Sequence, residues 1–289
     1  MIVSQLYVYP FKSGREVELQ QAEVEAKGLL WDREFMLVSG SGKFITQRQF
    51  PQLAKVKVKI NRHNQQNINI TLELEDNTFD AFSFDSSLSN PLVEVEIWGD
   101  RILAVDQGDE VANWFHRYLK LSEDKVCRLV RQSPEYVRSL AQKDSIYEAR
   151  PIGLADSSPV MLTATASLAE LNQRIMEIHL SQAMTIEMNR FRPNIVVETI
   201  EPFTEDNWSL IQIGNVRFKI TKPCTRCIIA NIDQRQGIKD RLKEPLNTLG
   251  TFRQLSEKGV MFGVSMIPQN EGIIKLGDRL EVLQTRTKS

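Results

Sequence analysis

The run Lys222-Pro223-Cys224-Thr225-Arg226-Cys227 sets two thiols and two cations within six residues. Sulfur beside cationic side chains suits nucleophilic, redox or soft-metal chemistry. Upstream, Val216, Phe218 and Ile220 alternate with Arg217 and Lys219 at the period of a half-buried strand. Downstream, Ile228, Ile229 and Ile232 continue as a β-branched run. The spacing predicts a hairpin with the thiols at its tip, on a loop stiffened by Pro223.

Three readings of the C-x-x-C pair stand side by side. A structural zinc site needs two more ligands from Cys127, His63, His116, His179 or a carboxylate, and no second C-x-x-C or H-x-x-x-H supplies them. A thioredoxin-type pair wants its first Cys at a helix start, whereas residues 228–232 read as a strand. Two small apolar residues filling a turn is the plainest reading. It suits Cys127, inside the alternating Val126-Cys127-Arg128-Leu129-Val130, better than Cys224 and Cys227, which have Lys222 and Arg226 beside them.

The elements that must position this pair belong to an ordinary globular chain. Its 289 residues allow two domains, and 42% apolar with 25% charged residues excludes a disordered or fibrous chain. A formal net charge of −1 gives no global bias towards nucleic acid or an acidic membrane, so any anion must be met by a local basic cluster. The start, Met1-Ile2-Val3-Ser4-Gln5-Leu6-Tyr7-Val8-Tyr9-Pro10, has no basic segment leading a long apolar one, and no run of eighteen apolar residues occurs. With three cysteines, a reducing cytoplasm is the simplest expected location.

Short strands are expected at residues 2–9, 17–25, 35–38, 55–60, 68–74, 93–97 and 102–105, separated by turn signals that include residues 64–67 and Gly99-Asp100. A helix over 109–119 follows, with Asp109 as cap and Val111, Trp114, Phe115 and Tyr118 as its core face. A polar passage over 121–158, containing Arg150-Pro151, joins two lobes. The second lobe opens with a strand at 160–163. A helix from about Ser167 comes next, with a Ser167/Glu170 capping box and Leu168, Leu171, Ile175 and Ile178 as its stripe. Further strands are expected at 195–197, 210–213, 260–267 and 279–283.

Several segments, in order along the chain, resemble the MOSC proteins, named for molybdenum-cofactor sulfurase C-terminal domains. Tyr9-Pro10-Phe11-Lys12-Ser13 and Trp31-Asp32-Arg33 are similar to the N-terminal β-rich domain of the mitochondrial amidoxime-reducing component and its bacterial relatives. Asp156-Ser157-Ser158-Pro159, Arg190-Phe191-Arg192-Pro193-Asn194 and Pro223-Cys224-Thr225-Arg226-Cys227 resemble the family's cofactor-binding segments, followed by Lys243-Glu244-Pro245-Leu246. The fold implied is α+β, mainly β. An N-terminal β-rich barrel-like domain (1–120) precedes a MOSC-type β-barrel domain with flanking helices (121–289, core about 150–285).

The resemblance implies a molybdenum ion on the dithiolene of a pyranopterin (the molybdenum cofactor), with Cys227 as a thiolate ligand. Lys12, Ser13, Arg33, Ser157, Ser158, Arg192, Asn194, Thr225 and Arg226 are the implied cofactor-binding residues. Cationic forks and hydroxyls are what a phosphate-bearing pterin requires. Without the resemblance, Arg33 in Asp32-Arg33-Glu34 reads as a surface ion pair, and Lys12, Ser157-Ser158-Pro159 and Arg192-Pro193-Asn194 read as turns. Asp156 and Asp32 stand beside the motifs as possible orienting groups. One departure is Phe262-Gly263-Val264-Ser265, where the mitochondrial proteins carry a tyrosine, so no tyrosine contact carries over to Ser265.

The function implied is molybdenum-dependent reduction of small N-hydroxylated substrates (amidoximes, hydroxylamines, N-hydroxylated bases). Electrons would come from a separate iron–sulfur, flavin or cytochrome protein, because three cysteines cannot hold a four-cysteine cluster. No nucleic-acid or membrane partner is implied. The alternative is a cofactor carrier or a sulfur-transfer module bearing a persulfide on Cys224 or Cys227.

Overall fold

A computed structural model describes residues 1–62, 68–139, 151–180, 185–255 and 259–286. The turn expected at 64–67, His63 and Arg150 lie outside them. The molecule is mainly β. Its largest sheet has eight strands in the order Val17–Glu18, Val3–Val8, Ile195–Val197, Val160–Ala164, Met261–Pro268, Val216–Thr225, Trp208–Ile213, Leu280–Thr285. Neighbours are antiparallel except Val160–Ala164 with Ile195–Val197, which run parallel. A bridge between Ile2 and Arg279 joins the first strand's side to the last strand's side, so the sheet curls around one core. Apolar residues of alternate period fill that core, among them Leu6, Val8, Leu162, Ile195, Ile211, Phe218, Val264 and Met266. The chain's first strand is thus built into the sheet of its second half.

Among the described residues there are four smaller sheets, and two of them lie wholly between Val3–Val8 and Val160–Ala164 in the chain. One is ordered Phe35–Ser39, Cys127–Gln132, Asp100–Asp106, Leu92–Ile97, and the other Val56–Arg62, Ile68–Leu74, Phe82–Ser86. Ile68–Leu74 shows the period of two most plainly, with Ile68, Ile70, Leu72 and Leu74 buried and the residues between them half-buried. They pack with Phe11, Phe35, Trp114 and Phe115 into a second core. Each such side chain stabilises the fold by about 1.5–3 kcal/mol through burial.

Helix α1 (Asp109–Leu119) has the expected span, but its cap is Gly108 at φ 97, whose N–H donates to Asp106 Oδ1 at 2.8 Å. Asp109 instead accepts from Arg128 Nη1 at 2.5 Å. Helix α2 (Thr165–His179) begins before the expected Ser167, and no side chain caps it. Burial overrides the capping box: Ser167 is enclosed and donates to Glu205 Oε1 at 2.8 Å, and Glu170 accepts from Arg174 Nε at 2.7 Å. Leu171 and Ile175 face the core, whereas Ile178 is 53% exposed. The expected strand at 17–25 is broken into Val17–Glu18 and Gln21–Glu25, which join different sheets. No helix among the described residues is long and apolar enough to cross a membrane.

Candidate functional site

The ten residues singled out in the sequence line one cleft. The turn after Val3–Val8 carries Lys12 and Ser13, and the 3-10 turn Met188–Phe191 delivers Arg192 as its cap. Three of the ten stand in the left-handed backbone region: Ser13 (φ 73), Arg33 (φ 52) and Arg192 (φ 54). Non-glycine residues there are strained, and such strain gathers at functional sites. At Arg33 the surroundings enforce it. Tyr9 N–H donates to Asp32 Oδ1 and Arg33 N–H to the Tyr9 carbonyl, both at 2.9 Å.

Electrostatics in the cleft are lopsided. Among the described residues, Lys12, Arg33, Arg48, Arg192 and Arg226 line it with Asp156 as the one lining carboxylate, and Asp32, outside the lining, pairs with Arg33. Arg33 and Arg192 lie against the buried Tyr9 ring, with Cζ 4.4 and 4.2 Å from its centroid. Burial pulls the Arg192 guanidinium down to about 10, and the charge of Arg33 adds to this, so Arg192 stays cationic but poorly compensated. Its Nη1 donates to the Gly14 carbonyl at 2.6 Å and to Gln234 Oε1 at 3.1 Å. Burial also lowers Lys12, which donates to the Leu154 carbonyl at 2.8 Å and to Asp156. Desolvation in the cleft works to raise Asp156, but the Lys12 ammonium and the Trp98 indole N–H hold it well below the usual carboxylate range.

Around the thiols the structure corrects the sequence. The strand Val216–Thr225 runs through Pro223 and Cys224, bulging between Ile220 and Lys222 and again between Pro223 and Thr225 as it pairs with Met261–Pro268. The bulges admit a proline that has no N–H to give. After it, Ile228–Asn231 is a 3-10 turn with Cys227 as its N-cap, not the return strand of a hairpin. Ile228 faces solvent and Ala230 the core, a split that a turn satisfies and a buried strand does not. No strand therefore stands against a thioredoxin-type pair, although it is the second cysteine that begins the turn. Among the described residues no cluster of three His, Cys, Asp or Glu could hold a metal ion.

Cys227 is exposed and Cys224 half-buried. Arg226 points inwards. Its Nη1 contacts Met161 Sδ at 3.0 Å and Cys224 Sγ at 3.1 Å, and Nη2 donates to the Phe191 carbonyl at 2.5 Å. Arg48 Nη2 approaches Cys227 Sγ at 3.8 Å. Asn194 is fully buried and spends its side chain on backbone, accepting from Met161 N–H at 3.1 Å and donating to the Tyr7 carbonyl at 3.2 Å. Ser158 Oγ is likewise taken, lying 3.0 Å from the Met266 carbonyl, while Ser157 and Thr225 are exposed in the cleft wall.

Sequence reasoning missed Arg48, Thr46 and Met161 in the lining and set aside Ser265, which also lines it. The polar run Thr46-Gln47-Arg48-Gln49 was the only signal for Arg48. Gln47 is buried, exchanges amide hydrogen bonds with Gln234 at 3.0 and 3.1 Å, and donates to the Ser13 carbonyl at 2.9 Å. A buried pair so far apart in sequence leaves no local pattern.

Residues 1–122 match the MOSC N-terminal beta barrel domain and residues 149–281 the MOSC domain, so the chain belongs to the MOSC family. It is 32% identical over 303 residues to mitochondrial amidoxime-reducing component 1 of Mus musculus, covering 97% of this chain and 82% of that one. Against mitochondrial amidoxime reducing component 2 of Bos taurus the identity is 35% over 294 residues, covering 96% and 81%. Molybdenum cofactor sulfurase of Danio rerio is 30% identical over 279 residues, covering 93% of this chain and 32% of that longer protein.

Proposed function

We propose that this chain is a molybdenum-cofactor-dependent reductase that removes oxygen from N-hydroxylated compounds such as amidoximes, hydroxylamines or N-hydroxylated bases. The observation that carries the proposal is the exposed Cys227 in a cleft lined by five cations and one carboxylate. The names of the murine and bovine relatives support the substrate class.

The residues present fit the cofactor. Among the described residues, Arg226 Nε is buried with no acceptor and Arg192 makes no ion pair with a carboxylate, so both suit an incoming anion. Lys12, Arg33, Arg192 and Arg226 would supply charge-assisted bonds to its phosphate, Ser157 and Thr225 hydroxyl contacts, and Cys227 a soft thiolate to the metal. When bound, the cofactor supplies a two-electron redox centre able to take an oxygen atom from an N–OH group. Asp156 stays ionised at neutral pH, so it accepts hydrogen bonds and does not donate a proton. Asn194 and Ser158 keep the strands beneath the cleft in register. Electrons are proposed to come from a separate donor protein.

Protein purified from a host that makes the cofactor tests this reading. It should carry near-stoichiometric molybdenum and reduce benzamidoxime with reduced viologen, yet stay inactive with NADPH alone. A persulfide without molybdenum would favour sulfur transfer through Cys224 or Cys227.

A further inference from the structure

We infer that Gln234, oriented by Gln47, positions Arg192 in the cleft through a neutral acceptor, so that the guanidinium keeps its charge for the anionic group of the cofactor. This rests on the cofactor reading above. Two segments supply the geometry. The 3-10 turn Met188–Phe191 and its cap carry Arg190 and Arg192, and the short strand Ile232–Asp233 leads into Gln234. Across these segments the two arginines are held in different ways. Arg190 Nη2 lies 3.3 Å from Asp233 Oδ2, an ion pair. Arg192 Nη1 donates to Gln234 Oε1 at 3.1 Å and to the Gly14 carbonyl at 2.6 Å, both neutral. Among the described residues, Nε and Nη2 of Arg192 donate to no acceptor, and the residue lines the cleft. A carboxylate in place of the Gln234 amide would hold Arg192 as firmly and cancel its charge.

Gln234 can present only its oxygen to Arg192, because a guanidinium accepts no hydrogen bond. Its nitrogen is spent elsewhere: Nε2 donates to the Ile232 carbonyl at 3.0 Å and to Gln47 Oε1 at 3.1 Å. Gln47 returns the bond, its Nε2 donating to Gln234 Oε1 at 3.0 Å and to the Ser13 carbonyl at 2.9 Å. Both side chains are enclosed, so an amide left without partners there is costly and the pair stays in this one arrangement. It also ties Arg192 to the turn that carries Lys12 and Ser13. Gln47 takes the Ser13 carbonyl, and Arg192 takes the next one, of Gly14. Neither glutamine lines the cleft, so both act through Arg192 and Ser13 as positioning residues.

Gln234→Glu and Gln234→Met keep the length of the side chain, and both remove the Nε2 donor to Gln47 and Ile232. The difference between them therefore reads the charge at position 234. Purified from a host that makes the cofactor, Q234E should lose molybdenum on dialysis about tenfold faster than Q234M, the factor expected for one charge-assisted bond cancelled. In Q234M the guanidinium keeps its charge and its bond to Gly14, so loss should be about two- to threefold faster than from wild type. In cofactor-free protein Q234E, which regains a bond to Arg192, should melt no lower than Q234M. A purely structural role would instead make the less stable variant the faster to lose molybdenum. Loss from Q234E no faster than from Q234M, or a Q234M rate equal to wild type, overturns the role of Gln234 and leaves the cofactor reading standing; the second comparison decides alone where Q234E does not fold. Wild-type protein purified from that host without molybdenum overturns both.

Discussion

Arg33 donates from Nη2 to the main-chain carbonyl of Arg192 at 3.3 Å, although 159 residues separate them, and both guanidiniums lie against Tyr9. The cation cluster is therefore assembled from both ends of the chain. The strand that leads to Tyr9 is paired with Ile195–Val197, so the fold that holds Arg33 also fixes Arg192.

Arg33→Ala and Arg192→Ala should each weaken retention of the cofactor by about 1.5–3 kcal/mol, the worth of hydrogen bonds from a charged group. Molybdenum content after dialysis, compared with the melting temperature of the same samples, checks this. Full loading in both variants would count against the cation cradle.

Asn194→Ala should behave differently. Its side chain joins the backbone of Met161 to that of Tyr7, so truncation leaves a buried N–H and a buried carbonyl unsatisfied, at a cost of about 1–3 kcal/mol. Lower stability is expected in cofactor-free protein too. A variant as stable as wild type without cofactor but unable to load it would make Asn194 a ligand-binding residue instead.

Glu205 sets a pH dependence. Burial pushes its carboxyl from an ordinary 4.5 up to about 7, partly offset by hydrogen bonds from its own backbone and Ser167. The protonated form is the one the fold prefers. Its contribution is therefore whole below about 4.5 and lost as pH rises through about 7, roughly 3 kcal/mol at most. Denaturant titrations at several pH values should show wild type losing stability relative to Glu205→Gln across that window. Parallel curves for the two proteins would show that Glu205 does not titrate there.

The strands were legible wherever one face is buried. Residues 68–74 were read to the residue because Ile68, Ile70, Leu72 and Leu74 alternate with half-buried neighbours. The pairing was not legible, since the adjacency of Val3–Val8 and Ile195–Val197 is fixed by distant side chains and by Asn194. The run after Cys227 misled for a related reason. Ile228 and Ile229 have strand propensity, but the core takes Ala230 and Ile232 and leaves Ile228 53% exposed, so a turn forms. Of the site, the motif residues were visible through resemblance. Arg48 was not, because it stands on a turn held by Thr46 and Gln49 and next to the buried Gln47, whose amide partner Gln234 is far away in the sequence.

Molybdenum content of matched serine variants tests whether Cys227 is the metal ligand. Cys227→Ser should be purified with little molybdenum and no benzamidoxime reduction. Cys224→Ser, which alters a half-buried sulfur beside Arg226, should keep both in measurable amount. The reverse pattern, with Cys224→Ser empty and Cys227→Ser loaded and active, would contradict the account.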